Sequence, residues 1–473
     1  VGCASSHQPW LDNLPGSTGG GRHYALNRTN TFWEYSRDFW DYQNRSSFLM
    51  RQGMSVIDLC LYLGDNAPVR ILTHRLPVIP AGFDFDAFST DALLTRMEVK
   101  EGRIVLPDGV SYQMMVLPRN GEITLEALRK IASLVQAGAS VYGTRPQRSG
   151  TLHDLEHMVE YEELVNMMWG RNNTPQGCSH YGKGTVYWGM SLTDAVSKAG
   201  MMPDVTVPEK RKFYYAHRTL WDGEIYFLDN HEDTPLAHTF IFRTSKRYAE
   251  LWNPVTGKRY SLQSTLTADG RISVPLQMAA RESYFVIFSD AQSTGQLPVK
   301  EWNMQEKTTF IQGDWTVDFS EKLGGPGKVV FTALTDWTSH KDERIKYYSG
   351  TAVYRHNLMM DDKRSESRYL LRFDKLASIA RIVLNGREVG TVWCSPWEID
   401  ITEALETGEN KLEIYVANSL MNRMIGDSML PEDQRITYSA TSIATPGMSL
   451  IPSGIIGSVQ LVRQMSASNS SDK

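Results

Sequence analysis

The sequence predicts a multidomain protein in which an α/β amino-terminal part is followed by all-β domains. The chain has 473 residues, which is more than one ordinary domain contains. Up to about residue 205, helical and strand-like segments alternate with few hairpin signals, a pattern typical of parallel sheets covered by helices. From residue 206 onward, short strand-like segments follow one another across turn residues, which is typical of β-sandwiches.

Residues 1–94 are predicted to be the last βα units of a (β/α)8-type barrel. Apolar residues recur at helical spacing within 30–52, and Gly53 suits the end of that helix. Residues 56–63 and 76–88 are apolar enough to be strands. A complete barrel has eight βα units, and this stretch supplies about two of them. We therefore expect the missing amino-terminal barrel segment to precede Val1.

Residues 95–205 are predicted to form a doubly wound α/β domain of the flavodoxin or glutaminase type. The apolar segment 114–118 is typical of a buried strand. An amphipathic helix follows, with Thr124 as its N-cap and Gly138 at its carboxyl end. The sequence contains neither GxGxxG nor a P-loop motif, so we predict no nucleotide cofactor.

The remaining chain is predicted to form two β domains. Residues 206–290 form a small β-sandwich, and residues 300–465 form a second domain in which Asn385-Gly386 closes a hairpin and 400–405 is a short helix. The order of this hairpin, helix and the next strand resembles the jelly-roll, galactose-binding-like domain that accompanies many glycosidases. The polar tail 466–473 is predicted to be disordered.

Composition excludes several classes of partner. The net charge is −5 and no basic block is present, so no nucleic-acid partner is predicted. The longest apolar runs are too short to span a membrane. The four cysteines lack metal-ligand spacing, and we expect free thiols. The aromatic fraction of 10% suits an oligosaccharide-binding protein, since sugar C–H faces stack on aromatic rings, although large β proteins share it.

The amino-terminal loop carries the first candidate binding motif. His7 and Gln8 offer hydrogen-bond donors and acceptors for vicinal hydroxyls, and Trp10 offers a stacking surface. Further along, Arg28 adds a rigid fork of donors and Trp33 adds a second ring. We predict that these five residues bind substrate. For Trp33 the alternative is a core position at the start of a helix.

A second candidate group consists of carboxylates. Asp84 and Asp86 would share one face of a strand and would lie at the mouth of a barrel if that strand ended there. They are predicted to bind sugar hydroxyls or calcium, and the alternative is a solvated turn or a helix cap. Glu34 is a less favoured catalytic candidate, because a glutamate in a first helical turn is more often a cap or a surface residue. The pair His153 and His157 is predicted to face solvent rather than a metal.

The order of these motifs resembles glycoside hydrolase family 106, whose members are α-L-rhamnosidase-like proteins. The matching segments are HQPW at 7–10, NRTNTFW at 27–33 and GFDFD at 82–86, with Phe32 where the family has tryptophan. The resemblance implies inverting hydrolysis of terminal rhamnose from pectin-type oligosaccharides by a general acid and a general base. These two groups would lie before Val1, so neither is assigned to a residue of this sequence.

The resemblance also implies that calcium holds rhamnose hydroxyls, and that the protein is periplasmic or secreted. A different class of function stays open from the sequence. Because most of the barrel would be absent, the chain could be a non-catalytic carboxyl-terminal fragment that acts as a structural or carbohydrate-binding module.

Overall fold

The computed structural model describes residues 31–65, 77–172, 174–292, 297–302, 304–439 and 444–465, together with the short strand β1 (Gly16–Ser17). After β1, the chain forms a 3₁₀ turn at Trp33–Tyr35, helix α1 (Arg37–Met50) and strand β2 (Met54–Ser55). Helix α1 joins two parts of the molecule. Leu49 at its end packs in one apolar cluster with Phe285, whereas Tyr35 before it packs with Ile379.

A six-stranded sheet is the centre of the α/β domain in the described residues. Its spatial order is β10, β11, β9, β8, β3, β4, and all adjacent pairs are parallel except β10 with β11. The strands are β3 (Leu59–Tyr62), β4 (Phe85–Phe88), β8 (Met114–Val116), β9 (Ser140–Tyr142), β10 (Gly177–Tyr181) and β11 (Gly184–Trp188). A small antiparallel sheet accompanies it, formed by β5 (Glu98–Lys100), β6 (Arg103–Val105) and β7 (Ser111–Tyr112).

Helices cover both faces of the six-stranded sheet, as a doubly wound arrangement requires. They are α2 (Thr90–Arg96), α3 (Leu125–Ala137), α4 (Met158–Trp169) and α5 (Leu192–Lys198). Helices α3 and α4 contribute to one buried cluster and α5 to another. Helix α3 begins with the predicted cap, since the Thr124 hydroxyl accepts a hydrogen bond from the Ala127 amide at 3.4 Å. It ends at Gly138, whose φ of 128° a side chain would disfavour.

The domain boundary that the sequence placed between residues 94 and 95 is wrong. Strands β3 and β4, which were expected in a barrel, pair with β8 and each other inside the α/β sheet. Helix α1 packs against the two β domains instead of a barrel strand. The sequence pattern misled because a fully buried apolar strand such as Leu59–Tyr62 looks the same in a barrel and in an open parallel sheet.

Residues after 205 form a two-sheet sandwich. One sheet has the order β16, β15, β19, β13, β12, β2, and the other has the order β14, β18, β17 in the described part of the chain. The strands are β12 (Phe213–Thr219), β13 (Gly223–Asn230), β14 (Leu236–Phe242), β15 (Tyr248–Trp252), β16 (Arg259–Leu262), β17 (Thr265–Leu266), β18 (Ile272–Met278) and β19 (Ser283–Ser289). Alternating buried residues of both sheets, including Tyr226 and Phe240, fill the core between them.

The second β domain is also a sandwich of two antiparallel sheets. Their orders are β20, β30, β24, β27 and β22, β21, β23, β28, β25, β26. The first strands and the helix among them are β20 (Gln305–Phe310), β21 (Trp315–Phe319), β22 (Gly327–Phe331), α6 (Glu343–Lys346), β23 (Thr351–Met360) and β24 (Arg368–Ala377). The later elements are β25 (Ile379–Leu384), β26 (Arg387–Val392), β27 (Glu398–Asp400), β28 (Gly408–Ala417), α7 (Met421–Ser428), β29 (Tyr438–Ser439) and β30 (Gly454–Met465).

Two local expectations in this domain have different outcomes. The hairpin between β25 and β26 turns at Asn385 and Gly386, whose φ angles of 54° and 76° suit that dipeptide. The predicted helix at 400–405 is wrong, because β27 runs into a turn there. The Asp400 carboxylate accepts hydrogen bonds from the amide and hydroxyl of Thr402, which favours a turn over a helix.

Short 3₁₀ helices lie in the loops of this domain at Glu321–Leu323, Trp337–Ser339 and Glu432–Gln434, and another at Leu152–His157 precedes α4. Within the described residues, every helix is too short or too polar to cross a lipid bilayer.

Candidate functional site

Most of the predicted sugar-binding motif lies outside the described residues. This applies to His7, Gln8, Trp10 and Arg28. Trp33 and Glu34 are described, and both lie on the 3₁₀ turn before α1. Trp33 is 38% exposed, so it is not the core residue that the alternative reading expected. Tyr35 is the buried residue of this turn.

The two candidate aspartates are not at the carboxyl end of a strand. Asp84 directly precedes β4, and therefore lies at the amino end of that strand. Its carboxylate accepts a hydrogen bond from the Phe85 amide at 2.8 Å. Asp86 accepts a hydrogen bond from the Tyr112 hydroxyl at 2.9 Å. The expectation that both line the mouth of a barrel is wrong, and so is the helix-cap alternative, since Ser89 caps α2.

Calcium binding by Asp84 and Asp86 stays a prediction. A calcium ion takes six to eight oxygen ligands. Among the residues that the structure describes, no group of three or more His, Cys, Asp or Glu side chains is arranged to hold a metal ion. His153 and His157 are exposed, in agreement with the prediction that they face solvent.

Asp84 instead lies near a cluster of charges between the α/β domain and the first sandwich, here called the interface cluster (Asp58, Asp204, His217, Glu224 and Arg243). Arg243 donates to Asp58 at 2.9 Å and lies 3.3 Å from Asp204. His217 lies 2.9 Å from Asp204 and 3.1 Å from Glu224 through its two ring nitrogens. Asp58 and Asp204 are almost fully buried, so these contacts connect the two domains in a region of low dielectric.

The environment of the interface cluster shifts the pKa of several groups. Burial raises the pKa of Asp84 to about 6, and the nearby carboxylates of Asp86 and Asp204 add to this shift. Burial by itself would lower the pKa of His217, but its hydrogen bonds to Asp204 and Glu224 outweigh burial and raise that pKa. The charged form of His217 is therefore favoured at this interface.

A second polar group lies at one end of the jelly-roll domain, and we call it the loop face (Asn418, Asn422, Arg423, Asp427 and Ser453). All five side chains are buried. Asn418 donates to the Tyr348 carbonyl and to the Ser453 hydroxyl, each at 2.9 Å. Asn422 donates to the Ile451 carbonyl at 2.7 Å and accepts from the Ile451 amide at 2.8 Å. Buried polar groups with such complete hydrogen bonding form rigid networks.

Asp427 connects the loop face to the strand β29. Its Oδ1 accepts from the Arg423 guanidinium at 2.8 Å. Its Oδ2 accepts from the amides of Ile436 and Thr437, at 3.1 and 2.7 Å, and from the Thr437 hydroxyl at 2.6 Å. Since Thr437 directly precedes β29, Asp427 holds the start of that strand in place.

The amino-terminal segment meets this loop face. Strand β1 (Gly16–Ser17) pairs with β29 in parallel. The Thr31 hydroxyl donates a hydrogen bond to the backbone carbonyl of Asn418. Two points of the amino-terminal chain, residues 16–17 and Thr31, are thus attached to one end of the jelly roll, and of the predicted sugar-binding residues Arg28 lies between them in the sequence.

The loop face is suited to positioning rather than to proton transfer. Both oxygens of Asp427 are engaged by several donors, and the residue is almost fully buried. From the sequence, Arg423 and residues 452–454 are predicted only to lie in loops that could return toward the expected barrel. It did not identify Asn418, Asn422 or Asp427, although polar residues within a mostly apolar stretch such as 414–427 are a usable signal.

Two known protein families match parts of this chain. The profile of glycoside hydrolase family 106, described as alpha-L-rhamnosidase, matches residues 2–265, more than half of the chain. The chain belongs to this family. A second profile, the galactose-binding-like domain of glycosyl hydrolase family 2, matches residues 334–440, within the jelly roll that carries the loop face.

Two relatives are longer than this chain, and the chain aligns with only part of each. The structure of a rhamnosidase from Novosphingobium sp. PP1Y is 30% identical, has a TM-score of 0.80, and aligns with 97% of this chain but 44% of its own. A protein named "Putative beta-glucuronidase" from Formosa agariphila is 23% identical over 90% of this chain and 55% of its own length. The chain spans about half the length of these relatives.

Proposed function

We propose that the protein to which this chain belongs hydrolyses terminal α-L-rhamnosides of pectin-type oligosaccharides with inversion of configuration. The observation that carries the proposal is the attachment of the amino-terminal segment to the loop face through β29 and Asn418. That segment lies within the part of the chain that matches the rhamnosidase family. A periplasmic or secreted location would suit a substrate derived from cell walls.

In this proposal, His7, Gln8 and Arg28 hold the ring hydroxyls, and Trp10 and Trp33 contact the apolar faces of the sugar. The exposure of Trp33 supports its part in this arrangement. The rigid hydrogen bonds of the loop face would keep these groups in a fixed orientation, which lowers the entropy cost of reaching the transition state.

Inverting hydrolysis needs one carboxylic acid to protonate the leaving oxygen and one carboxylate to activate water, about 6.5–9.5 Å apart. Asp427 is held in an ion pair, and Asp84 and Asp86 lie at the amino edge of the α/β sheet. We assign none of these three as acid or base. Glu34 is exposed on the 3₁₀ turn before α1 and stays a candidate.

The second candidate function is a non-catalytic structural or carbohydrate-binding part. It is favoured by the structural contacts of two carboxylates named above, since Asp427 pairs with Arg423 and Asp86 accepts a hydrogen bond from Tyr112. The two functions differ in whether this chain turns over a glycoside.

The test is to incubate this chain, and separately the whole gene product, with an aryl α-L-rhamnoside and an aryl β-D-glucuronide. We expect the whole gene product to release the aryl alcohol from the rhamnoside, with the inverted anomer appearing first in proton NMR spectra. Turnover by this chain alone would contradict the non-catalytic alternative. Release from the glucuronide but not from the rhamnoside, or a retained anomer, would contradict the proposed function.

A further inference from the structure

A large cleft separates the first sandwich from the jelly roll, and we call it the interdomain cleft. It encloses about 1450 Å³, and helix α1 forms part of its wall together with strands of both domains. Typical small-molecule pockets measure about 300–1,000 Å³ and occur preferentially where domains meet. The cleft is thus large enough for an extended ligand of several rings.

The charged residues of the interdomain cleft balance one another. Among the described lining residues, seven are Arg or Lys and seven are Asp or Glu. Several already form ion pairs, including Arg368 with Asp400 and Arg372 with Glu398, each at 2.7 Å. A charged ligand would have to compete with these pairs. Hydroxyl groups both donate and accept, so a neutral polyol can bind between fixed donors and acceptors without changing the charge balance.

Aromatic side chains line the same cleft. Tyr42, Tyr260, Trp302 and Trp393 are each partly exposed there. The Lys300 ammonium lies 5.0 Å from the Tyr260 ring centre and 4.9 Å from the Trp302 ring centre, an arrangement that stabilises the two rings in one orientation. Rings that are fixed in this way offer apolar surfaces for the C–H faces of a sugar.

Trp393 provides an observation that ordinary packing does not explain. Its ring is held edge-to-face by Phe39 and Tyr42, with ring centres 5.3 Å apart in both pairs. Its indole N–H is buried and has no hydrogen-bond partner in the described structure. A buried donor without a partner costs about 1–3 kcal/mol, and such groups in native proteins call for a specific explanation.

We propose that the interdomain cleft is a binding site for a neutral oligosaccharide, in which Trp302 and Tyr260 contact the sugar faces and the paired charges and Trp393 hydrogen-bond the hydroxyls. This site is separate from the loop face and does not depend on the proposed hydrolysis. It would keep a polymeric carbohydrate close to the protein without cleaving it.

The test measures binding of this chain to cellohexaose, xylohexaose and laminarihexaose by isothermal titration calorimetry, with hexagalacturonate as a charged comparison. We expect at least one neutral hexasaccharide to bind more tightly than hexagalacturonate. Trp302→Ala should weaken that binding about tenfold or more, and Trp393→Phe, which keeps the ring but removes the N–H, should weaken it severalfold.

Trp221→Ala is the matched control, because Trp221 is 94% exposed on the turn between β12 and β13 and does not line the cleft. Circular dichroism and thermal unfolding confirm that each variant is folded. Three results would overturn the proposal: no neutral hexasaccharide binds with a dissociation constant below about 1 mM, hexagalacturonate binds best, or Trp302→Ala and Trp393→Phe both bind like the original chain.

Discussion

At the residue scale, Asp84 shows how a carboxylate can be important without being catalytic. Its pKa is raised from 3.8 to about 6, first by burial and then by neighbouring carboxylates. An acid whose pKa is raised on folding holds its proton more tightly in the native state. The free energy of unfolding therefore includes a contribution from protonated Asp84 at low pH. This contribution is lost as the pH rises from about 4 through about 6.

We therefore expect Asp84→Asn to increase the free energy of unfolding at pH 7.5 by about 1–3 kcal/mol, since a neutral amide avoids the buried charge and can still accept the Phe85 hydrogen bond. The difference should disappear near pH 4. Urea unfolding at several pH values measures it. Asp361→Asn, at an exposed position, is the control. Lower stability of Asp84→Asn at pH 7.5 would contradict this account.

Arg243 allows a second prediction at this scale. Arg243→Met removes the guanidinium between Asp58 and Asp204 and leaves both carboxylates buried without it. Breaking a buried ion pair in this way typically costs about 3–5 kcal/mol of stability. Arg344→Met breaks an exposed pair with Asp342 and should cost about 1 kcal/mol or less. Equal losses in the two variants, measured by urea unfolding, would show that the interface cluster does not join the domains.

At the scale of single elements, the loop face depends on Asp427 for the position of β29. Asp427→Asn weakens the ion pair with Arg423. It also weakens the hydrogen bonds that the Asp427 carboxylate accepts from the amides of residues 436 and 437. We expect faster amide hydrogen exchange at 436–439 and at 16–17, with unchanged protection in the central strand β23. Hydrogen exchange with mass spectrometry measures this, and Asp361→Asn, at an exposed position, is the surface control. Unchanged exchange at 436–439 would refute the positioning role.

Elements whose signal is local were predictable from the sequence. The Thr124 cap and Gly138 stop fix the ends of α3, and Asn385-Gly386 fixes a hairpin turn, because these residues act through bonds within a few positions. The assignment of β3 and β4 to a barrel failed, since only their neighbours in the sheet, far away in the chain, decide which fold they enter.

At the scale of the whole molecule, both candidate sites are products of tertiary structure. Thr31 meets Asn418 across 387 positions of sequence, and the interdomain cleft combines residues from 38 to 404. No local pattern reports such contacts. The residue types of the amino-terminal loop predict sugar binding, and this stays a prediction, whereas the contacts of the buried amides and the aspartate of the loop face are evident only from the fold.

The amino-terminal segment and the jelly roll have different roles in the whole molecule. The family match covers residues 2–265, while the loop face lies beyond residue 417. We infer that the jelly roll orients the amino-terminal segment and that His7 and Trp10 contact the sugar. His153 is exposed in the α/β domain and lies outside the loop face, so its substitution should leave kinetics unchanged.

The most direct measurement is the kcat/KM of the whole gene product on an aryl α-L-rhamnoside for the original protein and for His7→Ala, Trp10→Ala and His153→Ala. We predict a loss of about tenfold or more for the first two variants, as expected when a sugar contact made in the transition state is removed, and no change for His153→Ala. Unchanged kcat/KM in both His7→Ala and Trp10→Ala, with rhamnoside turnover intact, would contradict the assignment of the sugar-binding segment.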